Sequence, residues 1–253
     1  MRLALRTRVF GKKIYWYPRL ESTMKAASSL AEKGEAEGTI VIAEEQTRGE
    51  GRGGHYWFSP SEGLWFSLIL RPCISASWVP RLNIMGAVGI VESIRELMPL
   101  LSPRIRWPND AVVNKRKVSG VLCKACIEQE RVNFVIMGIG INLNIEDFPA
   151  PLCFTATSLK REAGYSIPRG IFLGNLLREL EELYLLFQED FSSILEKARL
   201  FSSLLGRQIK IDTEKASFSG WAQDLDEDGN LVLRLQSGVL RRIGPEEGYV
   251  QIK

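Results

Sequence analysis

The spacing of apolar residues changes period near residue 206, and this change limits the fold more than any single motif does. Before it, strand-like runs alternate with runs whose apolar residues stand three and four apart. The strand-like runs are residues 39–43, 64–70, 104–107, 118–127 and 132–139, and the helix-like runs are residues 22–33, 79–98, 169–187 and 191–205. Ser22 or Thr23 supplies an N-cap for the first helix. From Gly206 only short β runs remain, at 208–212, 217–225, 231–236, 239–243 and 249–252, with Asp228-Gly229 and Ser237-Gly238 as the turns between them. The pattern predicts an α+β chain in two parts. Residues 1–205 carry a sheet and its helices, and residues 206–253 form a small all-β barrel.

Charge and cysteine content narrow the class of function. The 253 residues carry 33 Lys and Arg against 30 Asp and Glu, a net charge of +3, and the basic residues are scattered. That marks neither a nucleic-acid nor a membrane partner. Residues 206–253 show no basic or aromatic cluster, which disfavours a peptide- or RNA-binding module on a passive scaffold. Four cysteines in a chain of this length make no disulfide framework and fit a reducing compartment. Residues 1–8 interrupt their apolar residues with arginine, so no signal core forms, and no run reaches the roughly 18 apolar residues of a membrane span. A cytoplasmic protein that is not exported is expected. Cys123 and Cys126 lie three apart in a strand-like run and point to opposite faces, so they read as two independent cysteines rather than a redox or zinc pair.

Chemistry first shows in the glycine cluster Gly49-Glu50-Gly51-Arg52-Gly53-Gly54. Its spacing matches a dinucleotide-binding loop, which needs a strand before it and a helix opening from its last glycine. The strand is present, but His55-Tyr56-Trp57-Phe58-Ser59-Pro60 is no helix, and no Lys-Ser/Thr follows as a P-loop requires. What remains is a loop able to bring backbone N–H groups close to an anion, with Arg52 as a fixed charge beside it. A second constellation is Arg106-Trp107-Pro108-Asn109-Asp110, whose proline halts strand pairing and whose Asn-Asp presents two short polar side chains at a turn. Lys117 then opens an apolar run in which Gly120 removes a side chain where a ligand can approach. It reads equally as an edge lysine that blocks sheet pairing. A third segment, Gly138-Ile139-Gly140-Ile141-Asn142, is explained in isolation by a bulge and turn.

Taken together these segments resemble the biotin–protein ligases. The family's Gly-x-Gly-Arg-x-Gly-x-x-Trp loop, preceded by glutamine, is matched by Gln46, Gly49, Gly51, Arg52, Gly54 and Trp57. Its Lys-Trp-Pro-Asn-Asp segment corresponds to 106–110, its Lys-x-x-Gly-Ile-Leu strand to 117–122 and its Gly-Ile-Gly-Ile-Asn element to 138–142. The resemblance spans essentially the whole chain, through Glu247-Gly248-Tyr249-Val250 near its end. It implies a mixed-sheet catalytic domain similar to class II aminoacyl-tRNA synthetases, followed by an SH3-like barrel, in a short form without an N-terminal DNA-binding domain. It also implies the reaction: biotin and ATP give biotinyl-adenylate and pyrophosphate, and biotin then passes to a lysine of a carboxyl carrier protein.

By the same resemblance Arg52, Lys117 and Asp110 are the catalytic residues. Ser22, Thr23, Gln46, Gly49, Lys117 and Gly120 bind biotin, and Gly51, Arg52, Trp57, Asn109 and Asn142 bind the nucleotide. Magnesium is expected to be held by the ATP phosphates rather than by the chain, no DNA or membrane partner is implied, and a homodimer is left open. A related lipoate or octanoate ligase shares the catalytic fold, but the 106–110 segment and the terminal β module favour biotin. The chain also departs from the pattern. Met24 stands where the family commonly has Asn, His55 where it has a second arginine, Lys124 where it has glutamate, and Glu50 at a position that is arginine in some members.

Overall fold

The computed structural model describes residues 5–129, 131–213 and 216–251. Residues 1–4 and Ile252, which enter the readings of the N-terminus and of the last strand, lie outside them. Strand β1 (Ile14–Leu20) leads through helix α1 (Thr23–Glu32) to β2 (Ile40–Gln46), and a two-stranded hairpin, β3 (Gly49–Glu50) and β4 (Tyr56–Trp57), follows. Next come β5 (Leu64–Leu70), α2 (Val79–Leu97), β6 (Arg104–Arg106), β7 (Asp110–Val113) and the long pair β8 (Arg116–Glu128) and β9 (Arg131–Ile141). Two short helices, α3 (Leu152–Thr155) and α4 (Leu159–Ala163), precede α5 (Arg169–Glu189) and α6 (Phe191–Phe201). The chain closes with β10 (Gln208–Thr213), β11 (Ser217–Leu225), β12 (Leu231–Leu235), β13 (Leu240–Ile243) and β14 (Gly248–Gln251).

Seven strands form one sheet in the order β1-β2-β5-β9-β8-β7-β6. Only β1 and β2 run parallel, because α1 carries the chain back between them, and the other neighbours are antiparallel. This is the expected mixed sheet. Its two faces differ in what covers them. Helices α2, α5 and α6 bury Met85, Val88, Leu176, Leu180 and Ile194 in one cluster with Val121, Cys123 and Met137 of the sheet. On the opposite face α1 packs Met24, Ala27 and Ala31 on Val41, Ile69 and Ile136, covering only part of it. Cys123 belongs to the first cluster and Cys126 packs against the second, so the two thiols do lie on opposite faces. The remainder of the second face is open to the site.

The last five strands form an antiparallel sheet in the order β13-β12-β11-β10-β14. Its apolar residues Ile211, Ala222, Leu231 and Leu233 join the large cluster, so hydrophobic burial continues across the joint. Trp107 Nε1 donates to the Gly229 carbonyl at 2.9 Å, and Arg199 Nε donates to Asp224 at 2.9 Å. Helix α6 ends four residues before the expected 205. There Ser202 bridges to Ile105, its hydroxyl accepts from the Leu204 and Leu205 N–H groups, and Ser203 N–H donates to the Ile105 carbonyl, so the chain pairs with β6 instead of coiling.

One carboxylate ties the N-terminal segment to the helical layer. Glu181 of α5 is 8% exposed and accepts from the backbone N–H groups of Arg8 and Val9 at 2.6 Å and of Phe10 at 2.8 Å. Burial pushes this carboxyl up, but the three N–H donors outweigh it and hold it below the usual range. Glu181→Ala leaves those donors unsatisfied and is expected to cost about 2–4 kcal/mol. Because the folded-state value is depressed, this contribution is present above the unfolded value of roughly 4.3 and is lost as pH falls through the folded one. Urea unfolding of both proteins at neutral and acid pH measures it, and a loss below about 0.5 kcal/mol at neutral pH, the scatter of an ordinary surface change, contradicts the tie.

Candidate active site

A cavity of about 400 Å³ opens where the hairpin β3–β4 leans over the uncovered face of the sheet. Its floor is made by glycines on adjacent strands. Gly120 of β8 sits opposite Gly140 of β9, and Leu122 opposite Gly138. A Cβ on Gly140 would stand 2.5 Å from Trp57 Nε1, and one on Gly138 would stand 2.6 Å from Met24 Sδ. The alternating glycines therefore make no bulge: β9 pairs regularly on both sides from Val135 to Ile141, and the missing side chains admit Trp57 and Met24. The Trp57 indole rests on this floor edge-on to Trp65, with centroids 6.4 Å apart, and its buried Nε1 meets no acceptor among the described residues.

Neutral polar groups gather at the inner end. Thr23, the first residue of α1, donates its N–H and its hydroxyl to Gln46 Oε1 at 2.8 and 3.0 Å. Gln46 Nε2 donates to Ser59 Oγ at 3.0 Å, and Ser67 Oγ donates to Thr23 Oγ1 at 2.8 Å. Ser22 is buried as the N-cap, its side chain accepting from Lys25 N–H. Gly49 faces Trp57 across the hairpin, and a Cβ there would meet the Trp57 carbonyl at 2.4 Å. These groups are fixed in orientation before any ligand arrives, as recognition of a small polar ring system requires.

Charge is concentrated at the other end. Asp110 opens β7, and its carboxylate takes Lys117 Nζ at 2.6 Å on one oxygen and Arg106 Nη2 at 2.7 Å on the other. Burial pushes the Asp110 carboxyl up, yet Lys117 and then Arg106 outweigh it and hold it below the usual range. The Lys117 ammonium also stands 4.7 Å from the Trp57 ring centre. Lys117 pairs with Val112 of β7 and bridges to Ala156, so it is no edge residue. Arg106 keeps its buried Nη1 without a partner among the described residues and lines the cavity, leaving a donor for an anion. Asn109 Nδ2 donates to the Val121 carbonyl, while Asn142 Nδ2 donates to the carbonyls of Lys117 at 3.3 Å and Thr157 at 3.1 Å. Both asparagines thus brace the strands that carry the charges.

The hairpin tip closes with Gly51 N–H on the His55 carbonyl at 2.7 Å, and only a three-residue 3-10 turn, Arg52–Gly54, follows the strand. Arg52 lines the cavity and extends its guanidinium to the carbonyls of Pro245, at 2.7 Å, and Gly248 in the terminal sheet. His55 is exposed at the rim. The structure gathers Thr23, Gln46, Gly51, Arg52, Trp57 and Asn109 around one cavity with Asp110, Lys117, Gly120 and Asn142, while Ser22 and Gly49 stand directly behind its wall. Sequence reading gave no role to Arg106, Ser59 or Ser67. A buried serine carries no local signal, and the pairing of Arg106 with Asp110 inside one motif arises only when the β6–β7 turn sets the two residues opposite each other. Glu50 and Lys124, read as separate departures, form an ion pair with each other.

Comparison with known proteins fits this geometry. Residues 16–142, which include every element of the cavity floor and the hairpin, match the biotin/lipoate A/B protein ligase family, and residues 204–244 match the biotin protein ligase C-terminal domain. A bifunctional ligase/repressor, BirA, of Bacillus subtilis is 36% identical over 243 residues, covering 94% of this chain and 74% of that protein. The biotin–[acetyl-CoA-carboxylase] ligase of Paracoccus denitrificans is 29% identical, covering 87% and 93%. Among solved structures, the biotin protein ligase of Aquifex aeolicus in complex with biotin and ATP superposes with a TM-score of 0.83 at 27% identity, covering 96% of this chain and 100% of that one. With both family matches along one chain and a relative 36% identical over 94% of it, the chain belongs to the biotin protein ligase family.

Proposed function

We infer that this protein is an ATP-dependent biotin–protein ligase, and one observation carries the reading: a single cavity has an inner end of fixed neutral donors and acceptors and an outer end of cations. Biotin has the complementary asymmetry, a polar ureido ring joined by an apolar chain to a carboxylate. Thr23 and Gln46, with Ser22 behind them, are assigned to the ring, whose polar atoms are costly to bury unpaired. The glycine floor takes the apolar middle, and Lys117 meets the carboxylate.

The chemistry then follows from charge. A carboxylate oxygen of biotin attacks the α-phosphorus of ATP, the bond from that phosphorus to the bridging oxygen breaks, and pyrophosphate leaves with its electron pair. Negative charge grows on phosphate oxygens, so preorganised cations give most of the acceleration. Lys117, Arg52 and the free Nη1 of Arg106 are the groups available. Asp110 holds Lys117 and Arg106 at a common spacing while no substrate balances them. In the second step a neutral lysine amine of the carrier attacks the activated carbonyl, an amide bond forms, and AMP departs.

Magnesium belongs in this scheme to the substrate MgATP. Among the described residues no cluster of three or more His, Cys, Asp or Glu could hold a metal, and the two carboxylates lining the cavity, Glu50 and Asp110, are already paired with cations. The division at residues 205/206 into a catalytic part and a terminal β module is part of the same reading, the module serving the site through Pro245 and Gly248. No described helix is long and apolar enough to cross a membrane.

The test mixes protein, MgATP and biotin and follows pyrophosphate exchange, then adds a biotin carboxyl carrier domain and looks for its mass to rise by one biotinyl group. Exchange that depends on lipoate or octanoate instead of biotin assigns the site to the related ligases. Absence of any exchange overturns the reading.

A further inference from the structure

The hairpin that roofs the cavity belongs to neither large sheet. Among the described residues strands β3 and β4 pair only with each other, so the hairpin's position depends on side-chain contacts such as that of Trp57 with the glycine floor. A further tie joins Arg52 to the terminal sheet. Another runs to the opposite rim, where the Glu50 carboxylate of β3 binds the Lys124 ammonium of β8. Alternation along β8 puts Lys124 on the same face as Gly120, which floors the cavity, and Leu122, which lines it. Lys124 stands opposite Ile136, which packs with Met24 beneath that rim. The pair therefore spans from the roof to the sheet beside Leu122. Burial pushes the Glu50 carboxyl up, but Lys124 outweighs it and, with smaller help from the Ser22 hydroxyl and the Lys25 charge, keeps it ionised.

The attraction joins the roof to the sheet across a contact 74 residues apart in sequence. We propose that the Glu50–Lys124 ion pair is a latch that holds the glycine-rich hairpin over the activated intermediate and sets how long biotinyl-adenylate is retained before the carrier lysine arrives. Glu50 and Lys124 are positioning residues: they act through the hairpin and leave the reacting atoms to Lys117 and Arg52. The proposal rests on the ligase reading for the identity of what is retained.

A four-protein comparison tests it: wild type, Glu50→Lys, Lys124→Glu and the double exchange E50K/K124E, which restores attraction in the opposite polarity. The first readout needs no ligand. Cleavage after Arg52 by an arginine-specific protease reports hairpin opening, and each single variant is expected to be cut there several-fold faster. The second is dissociation of biotinyl-adenylate from the purified complex, expected to quicken about fivefold in each single variant, since like charges replace an attractive pair whose Lys124 side chain is 57% and Glu50 side chain 24% exposed. The double exchange should bring both rates back to within about threefold of wild type, with melting temperatures alike in all four proteins. Single variants that match wild type in both readouts, or a double exchange no better than the worse single variant, overturn the latch while leaving the ligase reading standing. A wild-type protein that forms no adenylate overturns both that reading and the retention role, whatever the protease shows.

Discussion

Replacing Lys117 by alanine is expected to lower biotin-dependent pyrophosphate exchange on the order of 10²-fold or more, the usual effect of removing one fixed charge contact to a transition state. The structure gives the reason. Lys117 is the cation shared by the Asp110 carboxylate at 2.6 Å and the Trp57 ring face at 4.7 Å, and it stands beside the glycine that opens the floor. A Cβ on Gly120 would lie 3.2 Å from Lys117 Nζ, so the missing side chain leaves the space above that glycine to the ammonium. Arginine should not substitute, because the planar fork demands a different approach from the compact ammonium that Asp110 and Trp57 accommodate. Arg52→Ala should lose a similar factor. Its guanidinium donates to the carbonyls of Pro245 and Gly248, and these can yield to phosphate without stranding a second charge. A Lys117→Ala protein within about fivefold of wild-type exchange, well short of that usual effect, would remove Lys117 from the chemistry.

Asp110→Ala should instead show its largest effect in stability. The side chain is 14% exposed and balances two cations, Lys117 and Arg106, whose side chains are themselves 27% and 13% exposed. Removing the shared acceptor leaves both charges uncompensated in a partly dry wall, at a cost of about 3 kcal/mol. Binding of pyrophosphate should recover part of that loss, since the anion replaces the missing carboxylate between the same donors. The pH dependence follows from the depressed carboxyl. Its contribution is complete above the unfolded value of about 3.9 and disappears as pH falls through the lower folded value. Thermal unfolding with and without pyrophosphate measures both effects. If the variant melts as wild type does, the three charges are not coupled as described.

Much of the architecture was legible from residue spacing because sheet and helix burial impose periods of 2 and 3.6. The run at 64–70 matches β5 and the run at 217–225 matches β11, while β8 and β9 extend only slightly beyond their runs. Strand β1 went unread for a local reason. Pro18 interrupts Ile14–Leu20, and a proline is tolerated in a strand only where its missing N–H is not needed. Here β1 is an edge strand, and Pro18 falls at the one position its pairing with β2 skips. Strand β7 gave no signal beyond the polar turn at 109–110, since its four residues show no period and its pairing with Gly120 and Ser119 of β8 comes from the fold.

The residue types at the site were present in the sequence as ordered motifs: a glycine cluster with one arginine, an Asn-Asp turn, a lysine three residues before a glycine, and alternating glycines before asparagine. Those spacings constrain backbone approach and side-chain chemistry within each segment, so the sequence by itself determined which segments line the cavity. Which charge answers which could be decided only by tertiary structure. Glu50 meets Lys124, and Arg52 meets the carbonyls of Pro245 and Gly248, across separations of 74, 193 and 196 residues. Electrostatic pairing depends on distance in space, and a linear motif holds no information about that distance once a sheet has brought remote strands side by side.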